Sequence, residues 1–377
     1  MEKKMNSSGS NPSIPQEIIF EIFSWLPVKS LMRFKCVIKF FNSLVSGSDF
    51  TDSYRCRSMT HHGGGTKLFF HEEKGFYMAE QKEDGKISVT LFQTEKLDGL
   101  HCYSGSCLDC VNGLFCVWEP ICVRRAAIFN PTTREVRFLP DLNKEVSWCN
   151  YSLGFESEEK KYKVLLSTEH VREGCRKIWV LTLGEDESWR EIQSISPDIV
   201  YIMPSVCING VIYRFVYWSS KANIRSIAAF DIKSEKFNII ALWNSSHYWA
   251  GDDKPKLIEV KGNLAVTYSE NWFNGYIHLR ILEKIKKEDQ WKSHIIRLPS
   301  IWNGRRLYIH FSLIRIISLC KSSDGDILFI MNLKSGLLCL CYDVTTENWR
   351  EVEIKGLPQE SFIRGGYNYV ENLVAFG

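Results

Sequence analysis

Cys102, Cys107, Cys110, Cys116 and Cys122 crowd one stretch of this 377-residue chain, and thiolates at that density could hold a zinc ion. A structural zinc site needs four convergent ligands, usually as two close pairs. Here one close pair is present, in "CLDC" at 107–110, and Cys116 sits inside the strand-like run "GLFCVW". The cluster reads as strand thiols, so no metal and no other cofactor is expected. "HHGGG" at 61–65 sets two imidazoles beside a glycine run, which reads as a linker. The sequence contains no Gly-x-Ser-x-Gly elbow, no His-Glu-x-x-His and no phosphate-cradling Gly-rich loop, and no catalytic residue is assigned. Recognition chemistry is better represented. Trp243, His247 and Trp249 fall in "LWNSSHYWAGDDKP", Trp272 in "ENWFNGY", and Trp302 and Arg305 in "IWNGRRL". Trp, Tyr and Arg are the residues that anchor protein interfaces, although the same rings could instead pack between structural units.

The elements that must position these loops form a repeat. "AAIFNPTTREVRFL" at 126, "IAAFDIKSEKFNII" at 227 and "LCLCYDVTTENWREV" at 338 each run from an apolar strand, through an Asn or Asp that opens a turn, into a second strand. The openers are Asn130, Asp231 and Asp343, whose side chains can accept hydrogen bonds from the turn backbone. Six positions later stand Val136, Phe237 and Trp349, and two weaker copies place Trp189 and Trp291 equivalently. The five positions recur roughly every fifty residues, the period of kelch-like propeller blades. A second element, "VNGLFCVW", "INGVIYRF", "VKGNLAVTY" and "SDGDILFIM", precedes the hairpins, with Gly supplying the turn. Residues 67–92 read as a degenerate further blade, and "YNYVENLVAF" as a strand that closes the ring. The body is therefore expected to be an all-β propeller of five or six blades, with a large sandwich as the alternative.

The front of the chain is different. "IPQEIIFEIFSWLPVKSLMRFKCVIKFFNSLVSG" carries apolar residues at helical spacing. Ser13 and Gln16 have capping-box spacing, Pro15 suits a first turn, and Pro27 ends the first helix. Short helices are expected from residue 15 to 26, from 28 to 34 and from 37 to 45. Three such helices cannot bury this much apolar surface among themselves, so it must be covered by the following domain or by another protein.

Composition agrees with a large soluble protein: 45% hydrophobic, 13% aromatic, and a formal net charge of +3, too mild for a nucleic-acid surface. No membrane span or signal peptide is evident, and 13 scattered cysteines suit a reducing compartment, which points to the cytoplasm, the nucleus or both.

The front segment resembles an F-box. Ile14-Pro15, Leu26-Pro27-Val28-Lys29-Ser30-Leu31, Arg33-Phe34-Lys35-Cys36-Val37 and Phe41-Asn42-Ser43-Leu44-Val45 match its pattern. Ile14 stands for the usual Leu and Phe41 for the usual Trp. Ile38 and Phe40 are apolar where the family often has Ser, and could strengthen an interface or pack on the next domain. The body resembles the plant F-box-associated domain, through residues 110–117, 130–140, 154–165 and 369–373. The resemblance implies an α+β multidomain protein: a tail at 1–13, a three-helix F-box at 14–47, a linker at 48–65 and a kelch-like propeller at 66–377. It implies docking to a Skp-type adaptor, and through it a cullin scaffold, by Pro15, Ile18, Ile22, Leu26, Pro27, Val28, Leu31, Phe34, Lys35 and Val37. The propeller loops would bind a target protein for ubiquitination, the chain itself being non-catalytic. The alternative is a glycan- or small-molecule-binding propeller whose F-box only regulates its turnover.

Overall fold

The structure is a computed structural model that describes residues 14–60, 67–72, 75–81, 87–92, 107–120, 126–142, 146–170, 176–193, 199–218, 221–243, 255–268, 276–285, 288–299, 317–320, 326–333, 336–357 and 363–374. Four helices open the chain: α1 (Gln16–Ser24), α2 (Val28–Lys35), α3 (Lys39–Ser46) and α4 (Ser48–Thr60). Ser13 of the expected capping box lies outside the described residues. Pro15 occupies the cap position itself, its carbonyl accepting from the amides of Ile18 and Ile19 at 3.1 and 3.2 Å. Pro27 plays the same part for α2 and keeps Leu26 out of helical conformation, which separates the two helices. Helix α4 occupies most of the span expected as a linker. Its apolar positions are few, but Phe50 and Tyr54 are one turn apart and both are buried.

Six β-sheets follow. The first holds β1 (Lys67–Glu72), β2 (Gly75–Gln81) and β3 (Ile87–Phe92), and the second β4 (Cys107–Val111), β5 (Leu114–Trp118), β6 (Ala127–Asn130) and β7 (Glu135–Phe138). The third holds β8 (Val146–Glu156), β9 (Lys161–His170), β10 (Arg176–Thr182) and β11 (Arg190–Ile192). The fourth holds β12 (Ile199–Ile208), β13 (Val211–Trp218), β14 (Lys221–Asp231) and β15 (Lys236–Ala241). The fifth holds β16 (Lys256–Val260), β17 (Asn263–Tyr268), β18 (Tyr276–Ile285) and β19 (Glu288–Arg297). The sixth holds β20 (Ile317–Cys320), β21 (Asp326–Leu333), β22 (Gly336–Asp343) and β23 (Asn348–Glu351). Two late strands, β24 (Ile354–Lys355) and β25 (Ile363–Asn368), return to the first sheet, whose order is β24-β3-β2-β1-β25. The inner strands β4, β8, β12, β16, β20 and β25 adjoin in turn, giving a six-bladed propeller. β25 closes the ring by pairing antiparallel with β1, which removes the open edge that an unclosed sheet would leave. The closing strand lies slightly upstream of the expected "YNYVENLVAF", and the residues after it have another use.

The repeated sequence elements have clear physical roles. Asn112-Gly113, Asn209-Gly210 and Lys261-Gly262 are two-residue turns with positive φ at both positions, the hairpin geometry that matches the twist of the flanking strands. The openers behave as read. Asn130 accepts from the Thr132 amide at 2.9 Å, Asp231 from the Ser234 amide at 2.7 Å, and Asp343 from the Thr345 amide at 2.7 Å. Between blades, apolar side chains from facing sheets interlock; Phe69, Phe115 and Phe129 pack between the first and second blades.

All these tight turns lie on one face of the propeller, laced from blade to blade. Asn209 Nδ2 donates to the Gly262 carbonyl at 3.2 Å, and Lys261 Nζ to Thr345 Oγ1 at 2.8 Å. The helices sit on this same face: Lys160, in the β8–β9 turn, pairs with Asp49 of α4 at 2.9 Å.

Candidate docking face

The helices build a small core from Phe23, Leu31, Val45, Phe50 and Tyr54, with Leu26, Val28, Phe41 and Leu44 packed against it. What this core leaves outside is apolar. Ile18 and Ile22 on α1, and Ile14 just ahead of it, recur every four residues, and each is at least half exposed. Trp25, Phe34, Val37, Ile38 and Phe40 are exposed as well, so Ile38 and Phe40 do not pack on the propeller. Phe34 and Phe40 each contact the Phe41 ring, at centroid distances of 5.7 and 5.6 Å. Scattered exposed apolar residues are ordinary, but eight within residues 14–40 make this face a candidate interaction surface. Lys29, Arg33 and Lys39 are exposed around it, which favours a partner with an acidic rim.

Of the residues expected to dock, Pro15, Ile18, Ile22, Pro27, Phe34 and Val37 are exposed, and Leu26, Val28 and Lys35 are half-buried. Leu31 has no exposed surface and belongs to the helical core. The sequence pattern alone does not separate it from the others, because it marks apolar positions without saying which side faces inward. Trp25, absent from the expected set, is held in place by donating to Glu21 Oε1 at 2.8 Å and by the Arg57 guanidinium 4.0 Å above its ring. The Trp25 hydrogen bond, followed by that from Arg57, lowers the Glu21 pKa.

The module is fastened to the propeller by residues 369–374, which follow β25. Leu373 is buried in the helical core beside Phe23 and Leu31. Glu371 takes the Tyr54 hydroxyl at 3.1 Å and the Lys67 ammonium at 2.6 Å, and its amide donates to Ser58 Oγ at 3.3 Å. Burial and the Glu371 carboxylate push the Tyr54 pKa up. Asn372, wholly buried, donates to the Asn112 carbonyl and to Tyr162 Oη, both at 2.8 Å. Asn130 donates in turn to the carbonyls of Asn372 and Val374 at 2.8 and 2.9 Å.

The expected target-binding residues divide differently. Trp243 stacks on Tyr268 (5.3 Å), meets Trp291 edge-on (5.3 Å) and lies under the Arg280 guanidinium (4.3 Å), a packed arrangement between the fourth and fifth blades. His247, Trp249, Trp272, Trp302 and Arg305 lie outside the described residues. The strand ends flanking them, at Lys256, Tyr268, Tyr276 and Arg297, are at the end of the fifth blade away from the tight turns. Cys107, Cys110 and Cys116 stand on β4 and β5, and burial raises the thiol pKa of Cys110 and Cys116. Cys102 and Cys122 lie outside the described residues. Among the described residues no group of three or more His, Cys, Asp or Glu side chains could hold a metal ion, and no helix is long and apolar enough to cross a membrane.

Residues 65–376 match the family described as the F-box associated beta propeller domain, and residues 12–53 match the F-box domain. The chain belongs to the F-box-associated β-propeller family. The Arabidopsis thaliana F-box protein At5g65850 is 31% identical, covering 81% of this chain and 76% of its own. The F-box protein At2g21930 of the same plant is 28% identical over 93% of this chain and 88% of its own. Among solved structures, TolB from Acinetobacter baumannii has a TM-score of 0.47 and 9% identity over 81% of this chain and 66% of that one. The F-box match covers all four residue groups of the sequence pattern and reaches into α4, so the exposed face at 14–40 is the face of an F-box.

Proposed function

We propose that this chain is the substrate-recognition subunit of an SCF-type cullin ubiquitin ligase. Its F-box docks a Skp-type adaptor, and its propeller holds a target protein for ubiquitination. The observation that carries this reading is the exposed apolar face of residues 14–40 on a module whose remaining apolar residues are already packed. A stable adaptor interface would bury on the order of 1,600 Å², with a few apolar anchors dominating. Ile18, Ile22, Phe34 and Val37 are those anchors, and Leu31 supports them from beneath. The target then binds at the face away from the helices, where the long connections leave the blades. No bond is made or broken by this chain. Its contribution is proximity: target lysines are held at high local concentration beside the conjugating enzyme that the scaffold recruits.

Purified protein is titrated with a plant Skp-type adaptor, alongside an Ile18→Asp/Ile22→Asp double variant. Wild-type binding lost in the variant, with its thermal midpoint unchanged, supports the reading. A wild-type protein that binds no adaptor, or a variant that binds as well as wild type, overturns it.

A further inference from the structure

Residues 369–374 are part of two structures at once. Leu373 completes the helical core from below, in contact with residues more than three hundred positions upstream. Asn372 and Asn130 pin the same segment to turns of the second blade. Val370 is the point of closest approach. A Cβ built on Gly113 would lie 1.9 Å from the Val370 carbonyl oxygen, so the segment crosses that turn at a distance only glycine allows. The segment begins where the ring-closing strand β25 ends, and Tyr369 continues the pairing, its amide donating to the Lys67 carbonyl at 2.9 Å. Its seat on the helices therefore depends on β25 being in place beside β1.

We propose that Glu371, Asn372 and Leu373 are positioning residues for adaptor docking, making a competent F-box conditional on a closed propeller ring. Without Leu373 the helical core is open on its propeller side, and Phe23, Leu31 and Val45 lose an apolar neighbour that none of the four helices supplies. Helices that short are not stable alone in water and take their geometry from tertiary packing. The exposed face on α1 and the α2–α3 connection keeps its shape only while the core behind it is filled. A chain whose last blade has not closed, or has been opened, then presents a slack F-box and is not taken into the ligase. This inference rests on the adaptor-docking reading.

The structure provides a matched test. Gly113 and Gly210 occupy the same position of the same turn in the second and fourth blades, with φ of +80° and +78°. A Cβ on Gly210 meets nothing closer than 4.0 Å. Gly113→Ala and Gly210→Ala thus carry the same backbone strain, but only the first displaces residues 370–373, and neither position is on a helix. Adaptor affinity is measured for wild type, both glycine variants, Leu373→Asp and the conservative Leu373→Met. A segment seated one-tenth of the time raises the apparent Kd about tenfold. Gly113→Ala and Leu373→Asp are expected to weaken binding by about that factor or more, with Gly210→Ala and Leu373→Met near wild type. Linkage demands the reciprocal effect, that saturating adaptor slows amide hydrogen exchange at residues 371–374 in the wild-type protein. Equal losses in the two glycine variants, unchanged binding by Leu373→Asp, or exchange at 371–374 indifferent to adaptor each overturns the proposal while leaving the docking reading standing. A wild-type protein that binds no adaptor overturns both.

Discussion

The indole Nε1 of Trp349 donates to the backbone carbonyl of Arg297 at 2.8 Å, hanging the sixth blade on the fifth. The same strap recurs where Trp291 donates to the Ala241 carbonyl at 3.0 Å and Trp189 to the Pro140 carbonyl at 2.7 Å. Each runs from the outer part of one blade to the end of the outer strand of the blade before it. The repeat position therefore has a mechanical meaning: a ring that fills the blade interface and a donor that fixes its register. Phe237 and Val136 at the equivalent positions keep the filling and lose the donor.

Trp349→Phe removes the donor and retains the packing against Phe329 and Tyr342, and is expected to cost about 1 kcal/mol. Trp349→Ala removes both and should cost about 3 kcal/mol. Urea unfolding of the two variants reads the difference, and a Phe variant as costly as the Ala variant would mean that the ring does not pack as described.

Much of this architecture is legible in the sequence because it is local. The Asx openers act on backbone two or three residues away, the Asn-Gly pairs dictate their own turns, and the strap tryptophans recur with the blade period. What is not legible is what depends on residues distant in sequence. Helix α4 shows few apolar signals, with Phe50 and Tyr54 the large ones, because contacts to the propeller are made by Asp49, Asp52 and Arg55, which look like solvated charges in sequence. Leu31 cannot be sorted from Ile22 without knowing that Leu373 arrives on one side. Residues 369–374 read as strand because their alternation is strand-like, yet the side chains that alternate there serve the helices and the second blade in turn.

Gly154 tests how tightly the third and fourth blades meet. A Cβ there would stand 2.4 Å from Ile232 Cδ1 and 2.7 Å from Ile212 Cδ1. Gly154→Ala is therefore expected to destabilise by about 1–3 kcal/mol through overpacking. Ile232→Val deletes the nearer methyl, so the double variant should recover part of that loss. A double-mutant cycle measures the coupling, and simple additivity of the two penalties would refute the contact.

Two buried titratable groups give opposite pH dependences. Asp109 accepts from the amides of Cys110 and Leu153, each at 2.9 Å, and from the Ser205 hydroxyl at 2.6 Å, yet burial raises its pKa to about 6. A carboxyl that holds its proton more tightly when folded adds stability at low pH and loses it as pH rises from about 4 to 6. Burial, with the Arg364 charge adding to it, lowers the pKa of His71 to about 4. That contribution is present above about pH 6.5 and is lost as pH falls toward 4. Each is worth about 3 kcal/mol at its full extent and the two largely offset. Relative to wild type, Asp109→Asn should lose stability on acidification from pH 6.5 to 4, and His71→Phe should gain it. Chemical denaturation across that range checks the signs, and a flat difference curve for either variant removes that residue from the account.

The contrast between Ile22 and Leu31 separates docking from folding. Ile22 is 51% exposed and Leu31 is fully buried, although both are apolar residues of the same motif. Ile22→Ala leaves no cavity and gains helix propensity, so its unfolding midpoint should match wild type, while its adaptor Kd should rise about tenfold for the loss of one aliphatic anchor. Leu31→Ala leaves a hole among Phe23, Val45 and Leu373 and should cost about 3 kcal/mol in stability of the helical module. Its adaptor binding should be weak at temperatures where the helices are loosened and recover on cooling, a dependence Ile22→Ala does not share. Hydrogen exchange of α1–α4 and adaptor titration at two temperatures distinguish the two residues. If Leu31→Ala binds like wild type at both temperatures, the buried half of the motif has no part in presenting the exposed half, and the docking face owes its shape to α1 alone.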